Sequence, residues 1–334
     1  MKNRHLLRVV DLKKHFPLRG GWLSSLSSGE KKVVRAVDGV SFDLEQSEIL
    51  GFVGESGCGK STMSRTILRL TEPTSGQVFY NEVDLATLSK RHLKRYRQKM
   101  QMIFQDPFSS LNPRRTVADT LRQTIHIHDL AVDKDDERAL IRNALEEVEL
   151  RPVGMFRDKY PALLSGGQLQ RVSIARVMIL QPSFVIADES VSMLDVSVRI
   201  GILELIRRMR DQHQVSFIYI THDLVTARYI CDRIAIMYLG RIVEIGPTEE
   251  IIHNPCHPYT KALIAAVPDP DPQAEVSELP IKGYVTTNTE TDMTGCSFYN
   301  RCPEAVEECR EGYPDMAAMG PDHQASCFRA AGNF

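Results

Sequence analysis

A glycine-rich loop between an apolar run and a helical segment constrains this chain more than any other feature. Residues 47–54 read SEILGFVG, which is nearly all apolar, and residues 63–70 read MSRTILRL, with helical spacing. A buried strand that leads into glycines and then a helix lets backbone N–H groups converge on phosphate oxygens, and the helix start adds a favourable dipole. The pattern predicts a phosphate-binding loop whose contacting residues are Gly54, Ser56, Gly57, Cys58, Gly59, Lys60, Ser61 and Thr62.

The side chains of this loop have distinct predicted roles. The Lys60 ammonium would reach the β and γ phosphates, and the Ser61 hydroxyl would bind Mg²⁺. Thr62 would contact a neighbouring phosphate oxygen. Cys58 stands at a variable position and is interpreted as a small space-filling residue rather than a nucleophile. The alternative, a glycine-rich turn without a ligand, is disfavoured by the strand before it and the helix after it.

A second apolar run ends in two carboxylates, at residues 184–189 (FVIADE). A buried strand of a parallel sheet delivers its last side chains to the sheet edge where phosphates bind. Asp188 is predicted to hold Mg²⁺ through water. Glu189 is predicted to polarise the attacking water as a general base. Any exposed strand end can carry two acids, so this motif alone is weak evidence for a nucleotide site. It becomes strong evidence because the same chain also has a phosphate loop.

A second glycine-containing helix start lies at residues 164–168 (LSGGQ). A serine before two glycines offers a capping hydroxyl and bare backbone amides to an anion. The simple alternative is a plain helix cap. One nucleotide does not need two phosphate loops from one chain, so this helix start is predicted to serve the nucleotide of another subunit. The residues concerned are Ser165, Gly166, Gly167 and Gln168.

Strands and helices alternate over most of the chain. From residue 165 the order is helix, buried strand, helix, strand, helix and a pair of strands, which predicts a parallel sheet covered on both faces. Residues 88–104 read as a Lys- and Arg-rich helix, and residues 115–156 as mostly helical. A proline-rich linker, residues 267–280, is predicted to isolate a cysteine-rich region that follows it.

Composition excludes several classes of function. Among 334 residues, 41 Lys and Arg balance 43 Asp and Glu, so the chain lacks the broad cationic field on which nucleic-acid binding usually rests. It also has no apolar run long enough to span a membrane, and its start lacks the apolar core of a signal peptide. The expected protein is soluble and cytosolic, with any membrane role exercised through a partner.

Four of the seven cysteines cluster near the C-terminal end of the sequence: Cys296, Cys302, Cys309 and Cys327. Disulfides are disfavoured in a reducing cytosol, so close cysteines first suggest metal or cluster ligands. Their spacing differs from the paired CxxC of a zinc ribbon. Four thiolates fit either an iron–sulfur cluster or Zn²⁺, and unligated thiols are the remaining alternative.

Taken together, these motifs resemble the nucleotide-binding subunits of ABC transporters over residues 6–270. The phosphate loop, the LSGGQ signature and the FVIADE strand occur in the family's order, with Gln105 of IFQDP as the Q-loop and His222 of YITHD as the switch histidine. The resemblance implies a head-to-tail dimer in which ATP on one phosphate loop is covered by the partner's signature. Asp195 of SMLD would be the D-loop acid that crosses the interface.

The resemblance also implies roles for residues whose function is not indicated by their type or local sequence. His222 would reach the γ phosphate, and Gln105 would sense both Mg²⁺ and the transporter. The family stacks adenine on an aromatic of the first strand region, for which Phe16 is the choice and Trp22 the alternative.

The sequence departs from the family pattern at Ser190, where proline is usual, and at Met193, where alanine is usual. Neither change removes a catalytic group.

The implied fold is an α/β P-loop NTPase of ABC type. It would have a RecA-like parallel core, an antiparallel β subdomain and a helical signature subdomain at about residues 106–175. These parts make up a nucleotide-binding domain over residues 1–250, and residues 251–334 form a permease-type extension that carries the four cysteines.

Within the family, three segments resemble the oligopeptide and dipeptide permease branch: the long first loop at 17–34, SSLNPRRTV at 109–117 and NPCHPYT at 254–260. The first loop resembles that of the second ATPase of such systems, which implies a heterodimer with a homologous ATPase. Two transmembrane permease subunits and an extracytoplasmic solute-binding protein would complete an importer, with this chain peripheral on the cytoplasmic face of the inner membrane and no nucleic acid bound.

The same resemblance implies a [4Fe–4S] cluster on the four cysteines, with Zn²⁺ as the alternative. The branch also imports nickel, glutathione and some sugars, so these solutes remain alternatives to peptides. A non-transport ABC ATPase acting on DNA or ribosomes is a rival class, but its coiled-coil insertion or second cassette is missing from this sequence. A small-molecule kinase is disfavoured by LSGGQ and THD.

Overall fold

The computed structural model describes residues 5–17, 33–267, 280–283 and 295–332. The chain forms two compact units, each described by itself. The first comprises Met1–Leu44, Leu50–Ala86 and Thr221–Phe334, and the second comprises Glu45–Ile49 and Thr87–Ile220. Trp22 and most of the two predicted loops, 17–34 and 267–280, lie outside the described residues.

The strands and helices are numbered in chain order. The strands are β1 (Leu7–Pro17), β2 (Val33–Leu44), β3 (Ile49–Val53), β4 (Ser75–Tyr80), β5 (Val83–Asp84), β6 (Met100–Ile103), β7 (Phe184–Asp188), β8 (Ser216–Thr221), β9 (Arg233–Tyr238), β10 (Arg241–Pro247), β11 (Ala317–Gly320) and β12 (His323–Ala325). The helices are α1 (Lys60–Ile67), α2 (Lys90–Lys99), α3 (Pro107–Ser110), α4 (Val117–Ile127), α5 (Lys134–Glu147), α6 (Gly166–Met178), α7 (Val196–His213), α8 (Leu224–Ile230), α9 (Thr248–His253), α10 (Pro258–Ala265) and α11 (Glu308–Glu311). Short 3₁₀ turns occupy Leu85–Thr87, Val153–Met155, Pro161–Leu163 and Tyr299–Arg301.

The first unit contains an antiparallel sheet with the strand order β2-β1-β4-β5. In β1, Leu7 pairs with Leu44 of β2 on one side and with Tyr80 of β4 on the other. Leu7, Leu44 and Tyr80 are all buried, so this pairing places apolar side chains on the core. This sheet is the antiparallel subdomain that the family resemblance implies.

A second set of strands in the first unit has the order β11-β12-β10-β9-β3. Strand β3 runs parallel to β9, with Leu50 opposite Arg233. Strands β10, β12 and β11 continue antiparallel from β9. All five residues of β3 are buried, as its nearly continuous apolar sequence predicts for a strand covered on both faces.

The cysteine-rich region is therefore not the isolated module that the linker suggested. Strand β12 hydrogen-bonds to β10, with Glu244 opposite Ala325. The region from residue 295 onward belongs to the first unit, which also contains the phosphate loop. Pairing between β-strands that are far apart in sequence leaves no local pattern, which is why the sequence did not predict it.

The second unit has three parallel strands in the order β8-β7-β6. Every residue of β7 and β8 is buried. The predicted helix at residues 88–104 is shorter than expected, because α2 ends at Lys99 and Met100–Ile103 form β6 beside β7. The MQMI run pairs in parallel with β7. In α2 itself, only Leu93 is buried.

Helix ends in the second unit follow the usual capping chemistry. Thr116 and Asp119 form a reciprocal capping box on α4, and Asp133 accepts hydrogen bonds from two amides at the start of α5. Helix α7 ends at His213, and the amide of its C-cap residue, Gln214, donates to the carbonyl of Met209. These caps satisfy amides at the helix starts and a carbonyl at the helix end that the helices themselves leave without partners. Among the described residues, no helix combines the length and apolar character needed to cross a membrane.

Candidate functional site

The predicted phosphate loop connects β3 to α1 in the first unit. Gly59 has a φ of 109°, and a Cβ there would lie 2.0 Å from the carbonyl oxygen of Ala36. A Cβ on Gly54 would lie 2.1 Å from the carbonyl oxygen of Met237. Both positions therefore require glycine, because any side chain would overlap backbone atoms of neighbouring strands.

The Lys60 side chain folds back onto the backbone of this loop. It is only 4 % exposed, and its Nζ donates hydrogen bonds to the carbonyl oxygens of Gly54 at 2.6 Å and Glu55 at 3.0 Å. Helix α1 starts at Lys60, and its N-cap residue is Gly59, which has no side chain to cap the first amides. An ammonium group beside uncapped helix amides forms an anion-binding concavity. Ser56 and Gly57 on the rim are exposed, and Ser61 and Thr62 follow in the first helical turn, half-buried.

Cys58 is another buried residue of the loop. Its side chain is 3 % exposed, and burial raises the pKa of its thiol. Its backbone carbonyl accepts a hydrogen bond from the Gly240 amide. A buried, protonated thiol is a poor nucleophile, and the space-filling role of Cys58 stays a prediction.

In the second unit, the structure brings together two residues that the sequence predicted separately. The Nε2 of Gln105 donates a hydrogen bond to Oε2 of Glu189 at 2.8 Å. Glu189 directly follows β7, with a φ of 45°, and its amide donates to the carbonyl of Ile220. A left-handed backbone is costly for a residue with a side chain and is concentrated at functional sites. Glu189 is thus held at the strand end by contacts on both its backbone and its carboxylate.

The residues on either side of Glu189 are buried. Asp188, the last residue of β7, is 4 % exposed, and Ser190 is 2 % exposed. Among the described residues, the Ser190 hydroxyl has no hydrogen-bond partner. A buried hydroxyl without a partner costs free energy, so serine is tolerated here without an evident structural benefit.

The LSGGQ segment begins α6. The Ser165 hydroxyl accepts a hydrogen bond from the Gln168 amide, and the Gln168 side chain accepts one from the Ser165 amide, which forms a capping box. A Cβ on Gly167 would lie 2.3 Å from Cγ1 of Val198. Gly166 starts the helix. Ser165 therefore caps α6 within its own chain, as the simple alternative predicted. Its side chain lies exposed at the start of the helix.

Asp195 of the predicted D-loop caps α7. Its carboxylate accepts hydrogen bonds from the Val198 amide at 3.0 Å and the Ser197 hydroxyl at 2.8 Å. These bonds hold its pKa below the usual range. The nearby Met193 side chain is 62 % exposed, so the methionine that replaces the family's usual alanine needs no room in the core of its own chain.

The two other predicted nucleotide contacts lie in the first unit. His222 is exposed and follows β8, immediately before Asp223 caps α8. Phe16 lies near the end of β1 and is 40 % exposed, with the Lys14 ammonium 4.9 Å from its ring centre. An exposed aromatic ring is available for stacking.

The predicted site residues divide between the two units. The first unit contains the phosphate loop, Phe16 and His222. The second unit contains Gln105, Ser165–Gln168, Asp188, Glu189 and Asp195.

The four predicted metal-ligand cysteines lie within electrostatic range of one another. We call residues 295–332 the four-cysteine module. Burial raises the pKa of Cys296 to about 12, and Cys309, Cys327 and Cys302 add to the rise by disfavouring a further negative charge. Burial raises the pKa of Cys302 to about 11, with smaller contributions from Cys327, Glu304 and Cys309. Among the described residues, these four thiols do not form a compact group of metal ligands, so a metal centre on them stays a prediction.

A buried carboxylate that the sequence did not single out ties this module to β10. Glu244 is fully buried and accepts hydrogen bonds from the amides of Cys256 and His257 and from Nε2 of His323. Glu244, Cys256 and His323 also have the ligand types of a metal site. Three donors already satisfy the carboxylate, so its structural role is to join β10, the start of α10 and β12.

Sequence reasoning also missed the residues that surround Glu55 of the phosphate loop. Its carboxylate forms two hydrogen bonds with Arg301, and its amide donates to the hydroxyl of Tyr259. Arg301 lies between two of the predicted cysteine ligands, in FYNRCP. An arginine beside a cysteine ligand carries no local signal for a contact 246 residues away.

Comparisons with known proteins agree with these features. A family model described as ABC transporter matches residues 37–192, and one described as Oligopeptide/dipeptide transporter, C-terminal region, matches residues 243–309. The solved dimer of the ATP-binding cassette MJ0796 with ADP and Pi has a TM-score of 0.62 and 26 % identity, over 72 % of this chain and 98 % of that one. CbiO1 of Clostridium perfringens, at 24 % identity and a TM-score of 0.63 over 75 % of this chain and 92 % of that one, shares the fold.

Two relatives match along almost their whole length. A Brucella ovis protein named as a peptide import ATP-binding protein is 41 % identical over 98 % of this chain and 99 % of its own. The oligopeptide transport ATP-binding protein AppF of Bacillus subtilis is 39 % identical over 96 % of each chain. The phosphate loop, the acidic strand end and the signature helix thus define an ATP-hydrolysing cassette of the ABC transporter family, to which this chain belongs. Its C-terminal region places it in the oligopeptide/dipeptide group of that family.

Proposed function

We propose that this chain binds and hydrolyses Mg·ATP to drive the import of oligopeptides or dipeptides. The observation that carries the proposal is the Gln105–Glu189 hydrogen bond at the end of β7, in a chain that also has a phosphate loop and the C-terminal region of the oligopeptide group. The names of the relatives, which refer to peptide import, support the choice of solute.

The phosphate loop is proposed to hold the triphosphate. Its glycines let backbone amides approach the phosphate oxygens, and Lys60 would exchange its bonds with loop carbonyls for the β and γ phosphates. Ser61 would bind Mg²⁺, and Thr62 an adjacent oxygen. Phe16 would stack on adenine, which contributes about 1–3 kcal/mol by analogy with base stacking on aromatic side chains.

The acidic strand end is proposed to carry the chemistry. Asp188 and Gln105 would complete the Mg²⁺ environment, and Glu189 would take a proton from the water that attacks the γ phosphate. His222 would stabilise the γ phosphate during this step. Holding Glu189 with the Gln105 amide aims its carboxylate before the nucleotide arrives, which reduces the reorganisation needed in the reaction.

A composite site at a dimer interface is proposed to regulate hydrolysis. Ser165, Gly166, Gly167 and Gln168 would cover the nucleotide of a partner ATPase, and Asp195 would cross the interface. The exposed start of α6 and the exposed Met193 support an interface on this side of the second unit. The partner is proposed to be a homologous but different ATPase.

The remaining partners follow from the role of an importer. Two transmembrane permease subunits would hold the chain peripherally at the cytoplasmic face of the inner membrane, and a solute-binding protein would deliver peptide from outside. To test this, the tagged chain is purified from native membranes and its partners are identified by mass spectrometry. We expect one different ATPase and two permease subunits in equal amounts.

The activity is then measured on the complex in proteoliposomes. Peptide-loaded binding protein should stimulate ATP hydrolysis and import labelled peptide into the lumen. Recovery of the chain with a second copy of itself contradicts the heterodimer. Stimulation by nickel, glutathione or a sugar but not by peptide contradicts the proposed solute.

The four cysteines are proposed to bind a [4Fe–4S] cluster, with a structural Zn²⁺ as the alternative. The pKa values of Cys296, Cys302 and Cys327 are raised, so these three thiols are protonated without metal. Metal binding would release their protons and gain the energy of thiolate coordination. When bound, such a cluster supplies either a redox-sensitive group or a structural crosslink. Within the chain, Cys296, Cys302, Cys309 and Cys327 would hold it.

A further inference from the structure

The first two cysteines of the four-cysteine module are joined by a tight turn that fixes Arg301. The Tyr299 amide donates to the carbonyl of Cys296 at 3.0 Å, and the Cys302 amide donates to the carbonyl of Tyr299 at 3.2 Å. The 3₁₀ turn Tyr299–Arg301 lies between them. The position of Arg301 is thus set by the backbone that carries Cys296 and Cys302.

From this turn, Arg301 reaches the phosphate loop. Its two terminal nitrogens each lie 3.0 Å from one carboxylate oxygen of Glu55. The arginine side chain is 6 % exposed and the glutamate side chain 30 %, so this is a largely buried, bidentate pair rather than a surface ion pair. Two parallel N–H···O bonds fix both the distance and the orientation of a carboxylate.

Aromatic residues enclose the guanidinium group. Its carbon lies 5.7 Å from the ring centres of both Tyr238 and Phe298, and one nitrogen donates to the Tyr238 hydroxyl at 3.4 Å. Although burial alone lowers the pKa of Arg301, its hydrogen bonds with Glu55 and Tyr238 raise it above the usual value. The guanidinium group of Arg301 therefore stays positively charged throughout the physiological pH range.

Glu55 is held at three points. Arg301 binds its carboxylate, the Tyr259 hydroxyl accepts a hydrogen bond from its amide at 3.0 Å, and Lys60 donates to its carbonyl. Two of these three contacts come from residues beyond 250. Since Glu55 follows Gly54 and precedes the glycines that approach phosphate, its orientation determines where the loop amides point.

We propose that Arg301 is a positioning residue for the phosphate loop, acting through Glu55, so that the four-cysteine module sets the affinity of the chain for nucleotide. The proposal rests on the proposed ATP-binding role of the loop. It assigns Arg301 no contact with nucleotide. Its effect is to hold the loop in the binding conformation before nucleotide arrives, which lowers the cost of ordering on binding.

The experiment compares Mg·ADP affinities of full-length variants by titration calorimetry, because ADP occupies the loop without being hydrolysed. Arg301→Gln should weaken Mg·ADP binding about tenfold, which corresponds to about 1.4 kcal/mol. Glu55→Gln removes the same pair from the loop side and should have a similar effect without touching the module. The double variant should bind no more weakly than the weaker single variant, because coupled residues are not additive.

Two further variants separate positioning from general stability. Arg301→Lys keeps the charge but loses the second hydrogen bond, so it should recover part of the affinity. Arg310→Gln is the matched control, since Arg310 lies in the same module, is exposed, and pairs with Glu307; its affinity should stay within twofold of the parent. Melting temperature and bound iron or zinc are measured for every variant.

The outcomes are decisive in both directions. Parental Mg·ADP affinity in Arg301→Gln and Glu55→Gln, even with a lowered melting temperature, would overturn the proposal and leave a purely structural contact. Additive losses in the double variant would also overturn it. Failure of the parent chain to bind Mg·ADP would instead contradict the proposed ATP-binding function, and absence of metal from the parent would contradict only the proposed cluster.

Discussion

Glu189 combines a strained backbone with the proposed role of general base. Its left-handed backbone, with a φ of 45°, turns the chain sharply after β7, and its carboxylate accepts a hydrogen bond from Gln105, 84 residues earlier. The sequence predicted both residues from separate motifs but not their contact. A side chain held before the substrate arrives is the expected arrangement for a general base.

Glu189→Gln should abolish steady-state ATP hydrolysis while leaving nucleotide binding intact. The amide keeps the shape of the side chain but cannot take a proton, and a general base contributes about 10²- to 10⁴-fold in rate. Hydrolysis and Mg·ATP binding are both measured in the assembled transporter. Hydrolysis within a few-fold of the parent would remove Glu189 from this role, and loss of binding would show that the substitution damages the fold.

His257 gives a residue-level prediction for pH dependence. It is buried, and its Nδ1 accepts a hydrogen bond from the Tyr259 amide. Burial, with a smaller effect from the charge of Lys261, lowers its pKa to about 3. Between this value and the ordinary value of 6.5, only the unfolded chain takes up a proton. The stability from neutral His257 is therefore full above pH 6.5 and is lost as the pH falls toward 3.

His257→Asn should make folding stability less sensitive to acid, since asparagine does not titrate and can still accept the Tyr259 hydrogen bond. Between pH 7.5 and 5.5, the parent should lose about 1.4 kcal/mol more than the variant. Urea unfolding followed by circular dichroism gives the two curves. His253→Asn, at an exposed histidine, is the control, and equal pH slopes for parent and His257→Asn contradict the assignment.

At the scale of elements, α6 combines a capping box with a proposed intersubunit role. The same reciprocal cap, Thr116 with Asp119, starts α4 in the same unit. Losing such a cap costs about 1 kcal/mol. These two helices therefore offer a matched comparison, because only the start of α6 is proposed to face a partner's nucleotide.

Ser165→Arg should block hydrolysis at the site formed with the partner's phosphate loop, because a bulky cation would fill the space of the γ phosphate contact. Thr116→Arg removes an equivalent cap and should leave hydrolysis near the parental rate. Rates are measured on the assembled transporter, with nucleotide binding to the variant chain as a check on Lys60. If Ser165→Arg and Thr116→Arg behave alike, the composite-site proposal fails for this protein.

The elements themselves were largely predictable from the sequence. The runs SEILGFVG, FVIADE and SFIYITHD become buried strands followed by the residues of the proposed site, because the apolar pattern and the polar ends are local signals. The end of α2 was not predictable. Its pattern continues as a helix past Lys99, and only the neighbouring strand β7 supplies the ladder that makes Met100–Ile103 a strand.

At the scale of the whole molecule, the motifs were predictable and their long-range partners were not. The phosphate loop and the four cysteines are each recognisable as short patterns. Nothing local indicates that Arg301 binds Glu55 or that His323 binds Glu244, 79 residues away. Such contacts depend on the pairing of β12 with β10, which only the folded first unit defines.

The four-cysteine module gives a prediction for the purified protein. Anaerobic preparation should yield a brown chain with broad absorbance near ~400 nm, as cysteine-ligated clusters show, and with about four iron and four sulfide per chain, as the [4Fe–4S] formula requires. Serine in place of Cys296, Cys302, Cys309 or Cys327 should bleach it.

Serine at Cys58, Cys231 or Cys256 serves as the control and should leave the colour unchanged. A colourless chain with one zinc supports the alternative metal. A chain without metal, even when prepared without oxygen, contradicts both versions of the proposal. Metal analysis by mass spectrometry and the absorbance spectrum together separate these results.

The separation between Glu55 and Arg301 also orders events during synthesis. Arg301 is translated 246 residues after Glu55, which at 5–20 residues per second is roughly 12 to 50 seconds later. Throughout this interval, the nascent phosphate loop contains Lys60, but Arg301, which is proposed to position the loop, has not been translated. On the proposal that Arg301 positions the phosphate loop, a ribosome-bound fragment that ends before the four-cysteine module should bind nucleotide more weakly than the full chain.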